Sequence, residues 1–286
     1  MVYFCADDYG ISAKGDERIE NCIRNGVLNK ISVLPNGDAG DFKKKTDIKG
    51  ATLSLHINLV EGYPLADKKD IDLLLAEDGS FKYSFMGLLK KSLSPGRKKF
   101  ENQLYNEIQC QLRFWKEKMG DAAFFIDSHQ HTHMIPVIFK TLIKIIKDEG
   151  INAEYIRIPS EPLLPYILTP SLYFAYKPVG IIKQWVLKAC YLFNKREIEK
   201  SKIKSAYFMG VMFSGKMEEK TIRKLLPRYM ALAWKKGKDI ELGFHPGYID
   251  DEKDLILGNR AGFKNFYLSP YRKKEHDALI NLKGVL

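Results

Sequence analysis

The sequence predicts an α/β fold built on parallel strands, either an open sheet or a barrel. Two observations carry this. Short apolar runs alternate with longer amphipathic ones along the whole chain, which is the pattern of strands joined by helical crossovers. No internal repeat, low-complexity tract or clear linker interrupts the 286 residues, a length that suits one large domain or two small ones. In such folds the chemistry sits at the carboxyl ends of the strands.

Taken in order, "MVYFCA" at 1–6 reads as a short buried strand. "SAKGDERIENCIRNGVL" reads as a helix, because Ile19, Cys22, Ile23 and Val27 recur at helical spacing. "ISVLPNG" is a second strand ending in turn residues. "GATLSLHINL" is a third, with Leu53, Leu55, Ile57 and Leu59 alternating against Ser54, His56 and Asn58. Residues 62–100 are mixed and loop-rich. "FENQLYNEIQCQLRFWKEKMG" is a long amphipathic helix closed by glycine. "AAFFIDSHQH" is a strand, "VIFKTLIKIIKDEG" a helix with the same glycine stop, and "AEYIRIP" a strand. "EEKTIRKLLPRYMALAWKKG" is a helix kinked or started by Pro227. "DIELGFHPGY" is a strand, and a last helix falls near 270–282. The exception is 161–200, which is apolar, aromatic and punctuated by proline. It reads as a helical insertion or lid reaching to about 205, as a basic amphipathic element lying on a membrane, or as a hairpin packed on the core.

Composition narrows the class. A hydrophobic content of 45% with 28% charged residues is that of a globular enzyme. The net charge of +11 fits an anionic partner, but the basic residues are scattered in groups such as "KKK" at 43–45, "RKK" at 97–99 and "RKK" at 272–274, the pattern of a solvated surface. No nucleic-acid-binding motif appears. Cys5, Cys22, Cys110 and Cys190 are far apart, which argues against a zinc ribbon or a disulfide scaffold and makes a reducing cytoplasm the expected compartment. The N-terminus lacks the pattern of a signal peptide, and no apolar run is long enough to span a bilayer. Whether the chain forms a homo-oligomer is open.

The polar residues fall at strand ends. Asp7 and Asp8 follow the first strand directly, and adjacent carboxylates repel unless a cation, a donor or water intervenes. Five of the six histidines, His56, His129, His131, His133 and His245, also sit at or just beyond a predicted strand end. If these ends share one face, aspartates and imidazoles gather there, a donor set suited to zinc and other divalent ions. "DSHQHTH" has a period of two, so an extended chain would place Asp127, His129, His131 and His133 on one face. Neighbours on that face lie roughly 6.6 Å apart along the strand, so one ion reaches one or two of them and spacing does not choose which. In "HPGY" the proline favours an extended His245, a candidate general acid. His276 has no such context and reads as a surface residue.

Several stretches, taken together, resemble the YdjC-like carbohydrate deacetylases, which include the chitooligosaccharide deacetylases. They are "ADDYG" (6–10), "LHINLVEGYPL" (55–65), "IDSHQHTHMIP" (126–136), "RIP" (157–159) and "ELGFHPGY" (241–248), in the family's order and spanning nearly the whole chain. "YFMGVMFSG" at 207–215 and "YRKKEHDALI" near the C-terminus are also similar. The resemblance implies a single domain over 1–286 with a distorted β/α (TIM-like) barrel of the polysaccharide-deacetylase type. It implies removal of an N-acetyl group from an amino sugar or oligosaccharide with one divalent cation, magnesium or zinc. Asp8, His56 and His129 resemble the metal ligands, Asp7 the general base and His245 the general acid. His131, His133, Asp127, Arg157 and Tyr9 are then expected to contact substrate or support the ligands. Two departures stand out: Ser54 replaces the family's usual glycine, and 161–205 diverges.

Other readings use the same residues. A phosphoesterase or amidohydrolase would need more ligands, often for two metals. A deacetylase of a lipid-linked sugar would use 161–200 for peripheral membrane contact. A nucleic-acid-binding module would leave the aspartates and histidines inert.

Overall fold

The structure is a computed structural model that describes residues 1–37, 48, 50–120, 122–256 and 261–284; the "KKK" run at 43–45 lies outside them. Seven strands are present among the described residues: β1 (Val2–Tyr9), β2 (Lys30–Val33), β3 (Thr52–Ile57), β4 (Phe124–Ser128), β5 (Ala153–Ile156), β6 (Tyr207–Met209) and β7 (Ile240–Phe244). All pair in parallel, in the order β5-β4-β3-β2-β1-β7-β6. One edge of this sheet, β5, is bridged to the segment just before the other edge, β6. Tyr155 pairs with Lys204, the Ile156 N–H donates to the Lys204 carbonyl at 3.0 Å, and the Lys204 N–H donates to that of Glu154 at 3.1 Å. Around the ring the strands thus follow chain order, and the sheet is a distorted parallel barrel whose β5–β6 seam is thin.

The barrel explains the alternation in each strand. Outward residues such as Phe4, Ala6, Ile31, Leu55, Ile57, Ile126 and Leu242 are buried beneath helices. Inward residues are polar and just as buried: Cys5, Lys30, Ser32, Ser54, His56, Asp127, Arg157 and Glu241. Each strand is therefore enclosed on both faces, as parallel strands usually are.

The helices are α1 (Ala13–Asn25), α2 (Phe85–Ser92), α3 (Arg97–Met119), α4 (Pro136–Asp148), α5 (Leu164–Ile167), α6 (Pro178–Ser201), α7 (Glu219–Lys236), α8 (Ala261–Tyr267) and α9 (Pro270–Asn281). Their starts and stops follow local chemistry. Ser12 caps α1 by accepting from the Gly15 N–H, Pro136 opens α4, and α3 ends at Gly120, whose φ of +65° suits glycine. Pro227 lies inside α7 and does not start it. Two elements escape the periodicity. The region read as loop-rich contains α2, and β6 is only three residues long, too short for alternation to register.

Two expectations need correction. The strand expected to run through "DSHQH" stops at Ser128, and 129–134 form a tight 3₁₀ turn in which Gln130 and His131 adopt φ of +53° and +58°. The four residues Asp127, His129, His131 and His133 therefore do not share an extended face. His276 is not a surface residue: only 14% of its side chain is exposed, and its ring packs edge-on against Tyr248 at 5.7 Å.

Candidate active site

The carboxyl ends of the strands surround a cavity of about 400 Å³. Asp7, Asp8, His56, His129, His131 and His245 all line it. Phe85, Ile182, Val186, Leu187 and Phe208 supply apolar walls.

The backbone accounts for how two adjacent aspartates reach one site. Successive side chains of a strand point to opposite faces. Asp7 points into the barrel. Asp8, which would then point out, has a left-handed φ of +68°, and the β1–β2 register shifts between Ala6 and Tyr9. Such a conformation is uncommon outside glycine and is concentrated at functional sites. Here it turns the Asp8 carboxylate back over the barrel mouth.

Asp8, His56 and His129 form the inner cluster, each offering one ligand atom within 4.8 Å of the others. Asp8 Oδ1 lies 2.9 Å from His129 Nδ1 and 3.6 Å from His56 Nε2. Each of the three is gripped from behind. His56 Nδ1 is 2.5 Å from Asp127 Oδ1, His129 Nε2 is 3.1 Å from Glu61 Oε2, and Asp8 Oδ2 accepts from Arg272 Nη2 at 2.8 Å. A carboxylate on the far nitrogen of each histidine fixes the ring and leaves the near nitrogen aimed inward, as metal-ligating histidines usually are. His56 Nε2 is buried and makes no hydrogen bond. Glu61 Oε1, His131 Nδ1, His245 Nδ1 and Arg272 Nη1 are also buried without a hydrogen-bond partner. A concentration of unsatisfied polar atoms around one cavity fits a site that expects a ligand. These residues fit a divalent cation.

The electrostatics point the same way. Burial alone would raise the Asp8 carboxyl, but His129, His56 and Arg272 hold it well below the usual carboxylate range. Burial works against a charged His129, yet Asp8 and Glu61, one on each ring nitrogen, raise it to about 10. Desolvation keeps the His131 ring neutral.

Two further groups of ligand-type residues, Asp7/His56/Asp127 and Cys5/Asp127/Glu241, lie deeper in the barrel. Both already hold cations. Arg157 donates to Asp7 through two bonds of 2.7 and 2.8 Å, and its guanidinium also contacts Glu241 at 2.7 Å and Asp127 at 3.2 Å. Lys30 Nζ sits 3.1 Å from Glu241 and 4.3 Å from the centre of the Tyr155 ring. The Asp8 cluster differs: Arg272 engages only Oδ2 of Asp8, which leaves Oδ1 facing the two imidazoles.

The remaining expected residues divide. Asp127 accepts from Ser32 at 2.6 Å and from Ser54 at 2.9 Å as well as holding His56, which gives the unusual Ser54 a role. His245 stands across the cavity lining, its N–H bonded to Glu275 at 2.5 Å and its carbonyl accepting from Arg272 at 3.0 Å. His133 is not in the cavity. Its ring bridges Ser128 at 2.6 Å and the Arg157 carbonyl at 2.7 Å, and burial lowers it to about 4, so it braces the backbone as a neutral ring. Tyr9 is not in the cavity either. The shift at Asp8 sends its ring into the core, where its hydroxyl donates to Glu20 at 2.7 Å. The aromatic residues Tyr63, Tyr248 and Trp185 lie outside the lining as well.

Glu61, Arg272, Glu275, Lys30 and Glu241 escaped the sequence reading. Glu61 lies inside "LHINLVEGYPL", and Arg272 opens an "RKK" whose composition is that of a solvated surface. We expect Glu61→Gln to weaken metal binding by about 10–100-fold with the fold retained, because the Tyr267 hydroxyl, 3.0 Å from Glu61, still has an acceptor. Competition with a chelating dye measures this, and unchanged affinity would remove Glu61 from the support of His129.

Fold and site together define a class: a parallel β/α barrel carrying an Asp–His–His cluster and a second, Arg-held aspartate at its carboxyl mouth. Within that class, residues 1–283 match the family model described as YdjC-like protein, and the chain belongs to that family. It is 30% identical over 164 residues to a carbohydrate deacetylase of Danio rerio, a match covering 56% of this chain and 50% of that protein. It is 28% identical over 260 residues to a carbohydrate deacetylase of Xenopus laevis, covering 85% and 79%. A chitooligosaccharide deacetylase of Citrobacter koseri is 26% identical over 148 residues, covering 51% and 55%. The chain thus spans about half the length of the first and last of these relatives. In fold it is similar to the crystal structure of a candidate cellobiose-phosphate cleavage protein of Enterococcus faecalis, with a TM-score of 0.66 and 15% identity over 98% of this chain and 90% of that one.

Proposed function

We propose that this chain is a carbohydrate N-deacetylase that hydrolyses the acetamide of an N-acetylated amino sugar or oligosaccharide, as one domain over 1–286 whose 161–205 segment walls the site. The observation that carries the proposal is the converging triad of Asp8 Oδ1, His56 Nε2 and His129 Nδ1, each held from behind, beside a separately held Asp7. The names of the relatives support the same chemistry.

In this reading Asp8, His56 and His129 hold one divalent cation, magnesium or zinc. When bound, it supplies Lewis acidity toward the acetyl carbonyl and makes water more acidic. Asp7 takes the proton from the attacking water. Burial would raise its carboxyl, but Arg157 holds it lowered and ionised, with both oxygens fixed in direction. His245 delivers a proton to the leaving amine, without which the C–N bond does not break readily. Its backbone is pinned on both sides by Glu275 and Arg272. Arg157 and Lys30 occupy the two deeper groups, while Arg272 leaves Asp8 Oδ1 open, so among the described residues one cluster is open to an ion, which favours this chemistry over a two-metal phosphoesterase.

No helix among the described residues is long and apolar enough to cross a membrane. We place the protein in the cytoplasm, where its four free thiols would stay reduced.

The test is acetate release from a panel of N-acetylated amino sugars and chitooligosaccharides, with chelator and with metal restored. Release that stops with chelator and returns with metal is expected. No release from metal-loaded protein on any member would reject these acceptors.

A further inference from the structure

We propose that the outer face of α5 and α6 docks on an anionic lipid bilayer. The 24-residue helix α6 buries Gly180, Gln184, Leu187, Cys190 and Asn194, with Leu187 and Cys190 in the core. Its inner face is fixed by polar anchors: the Gln184 amide donates to the Glu161 carbonyl at 2.9 Å, and that of Asn194 to the Met134 carbonyl at 2.8 Å. Gly180 comes so close to the Met212 carbonyl that a Cβ there would lie 2.5 Å from it, so the helix cannot roll to hide its other side. That other side is apolar. Ile182, Trp185, Leu192 and Phe193 recur at helical spacing and are 60–75% exposed. Just before them, Leu164, Ile167 and Leu168 are more than half exposed, and Phe174 is fully so. An exposed apolar surface of this extent marks an interface.

Charge and composition select the occupant. Over residues 164–201 there are six basic residues, Lys177, Lys183, Lys188, Lys195, Arg196 and Lys200, against two acidic ones, Glu197 and Glu199, both near the end of α6. Trp, Tyr, Phe and Leu framed by basic residues, on a helix lying flat, is the composition of an element seated at the headgroup level of a bilayer. The segment does not qualify as a span, in keeping with an element that lies on the surface. A protein partner would more often meet such a patch with acidic residues, and a second copy of this chain would set its net positive charge against a like one.

Ile182, Lys183, Val186 and Leu187 of the same helix line the cavity. Docking therefore sets the mouth of the site beside the bilayer. Resting on the deacetylase reading, this assigns an amino sugar carried on a membrane lipid as the acceptor class.

Flotation of the full chain with vesicles tests the docking without any reference to activity. Vesicles of equimolar phosphatidylcholine and phosphatidylglycerol are expected to bind at least about tenfold more protein than phosphatidylcholine alone, with the difference lost at high salt. The double substitution W185E/F193E, at residues outside the cavity lining, is expected to reduce binding at least about tenfold. Acetate release from soluble chitooligosaccharide should be unchanged in that variant, which also shows that it folds. Release from an alkyl N-acetylglucosaminide embedded in the vesicles should fall with binding. Failure of wild type to float would overturn the docking. So would a wild-type dimer in solution that W185E/F193E converts to a monomer, since the face would then join two copies. Floating protein whose variant still processes the embedded glycoside at the wild-type rate would overturn the acceptor class. Absence of acetate from every substrate would reject the deacetylase reading, with flotation still deciding the docking.

Discussion

Asp7→Asn is expected to retain its metal and to lose acetate release by about 10²–10⁴-fold, the usual contribution of a positioned base. Asp7 is not part of the Asp8 cluster; both its oxygens face Arg157. The amide keeps the shape but has no lone pair basic enough to take a proton from water. The substitution is also tolerable for the fold. The interior holds two permanent cations, Arg157 and Lys30, and three carboxylates, Asp7, Asp127 and Glu241, so removing one carboxylate leaves two against two. Metal content by elemental analysis and turnover on the preferred acceptor check this. Full turnover would exclude Asp7 as the base, whereas loss of metal would move it among the ligands.

His129→Ala is expected to lower metal affinity by more than about 100-fold, because even the loss of a residue behind a ligand costs 10–100-fold. Activity should fall to the level of the chelated enzyme. In the metal-free protein this variant also leaves Asp8 and Glu61 buried without the ring between them, so some loss of thermal stability is expected as well. His56→Ala supplies the control, since Asp127 keeps its bonds from Ser32, Ser54 and Arg157 when that ring is removed. Both variants should lose metal together. Wild-type affinity in either one would break the proposed ligand set.

The strands, the long helices and the presence of a polar cluster at strand ends were legible because each leaves a short-range record. Alternation of Ser54 and His56 with Leu55 and Ile57 is such a record, and it is explained by a polar barrel interior. The seven-residue "DSHQHTH" was legible as a site but not as a shape. Its period of two describes a strand, while the chain leaves the sheet at Ser128 and turns through two left-handed residues. That turn separates His129, beside Asp8, from His133, beneath Arg157.

Local pattern alone determined which residue types would meet at the strand ends and that the strands would run parallel, because periodicity and turn chemistry act over a few residues. Only the tertiary structure decided who holds whom. Arg272 and Lys30 look like two more members of a basic surface, yet one is bonded to Asp8 from 264 positions away and the other neutralises Glu241 across the barrel. Glu61 and Asp127 become the supports of two histidines in the same way. Buried charges find partners wherever the barrel closes, and closure joins residues whose separation in the chain carries no periodic trace.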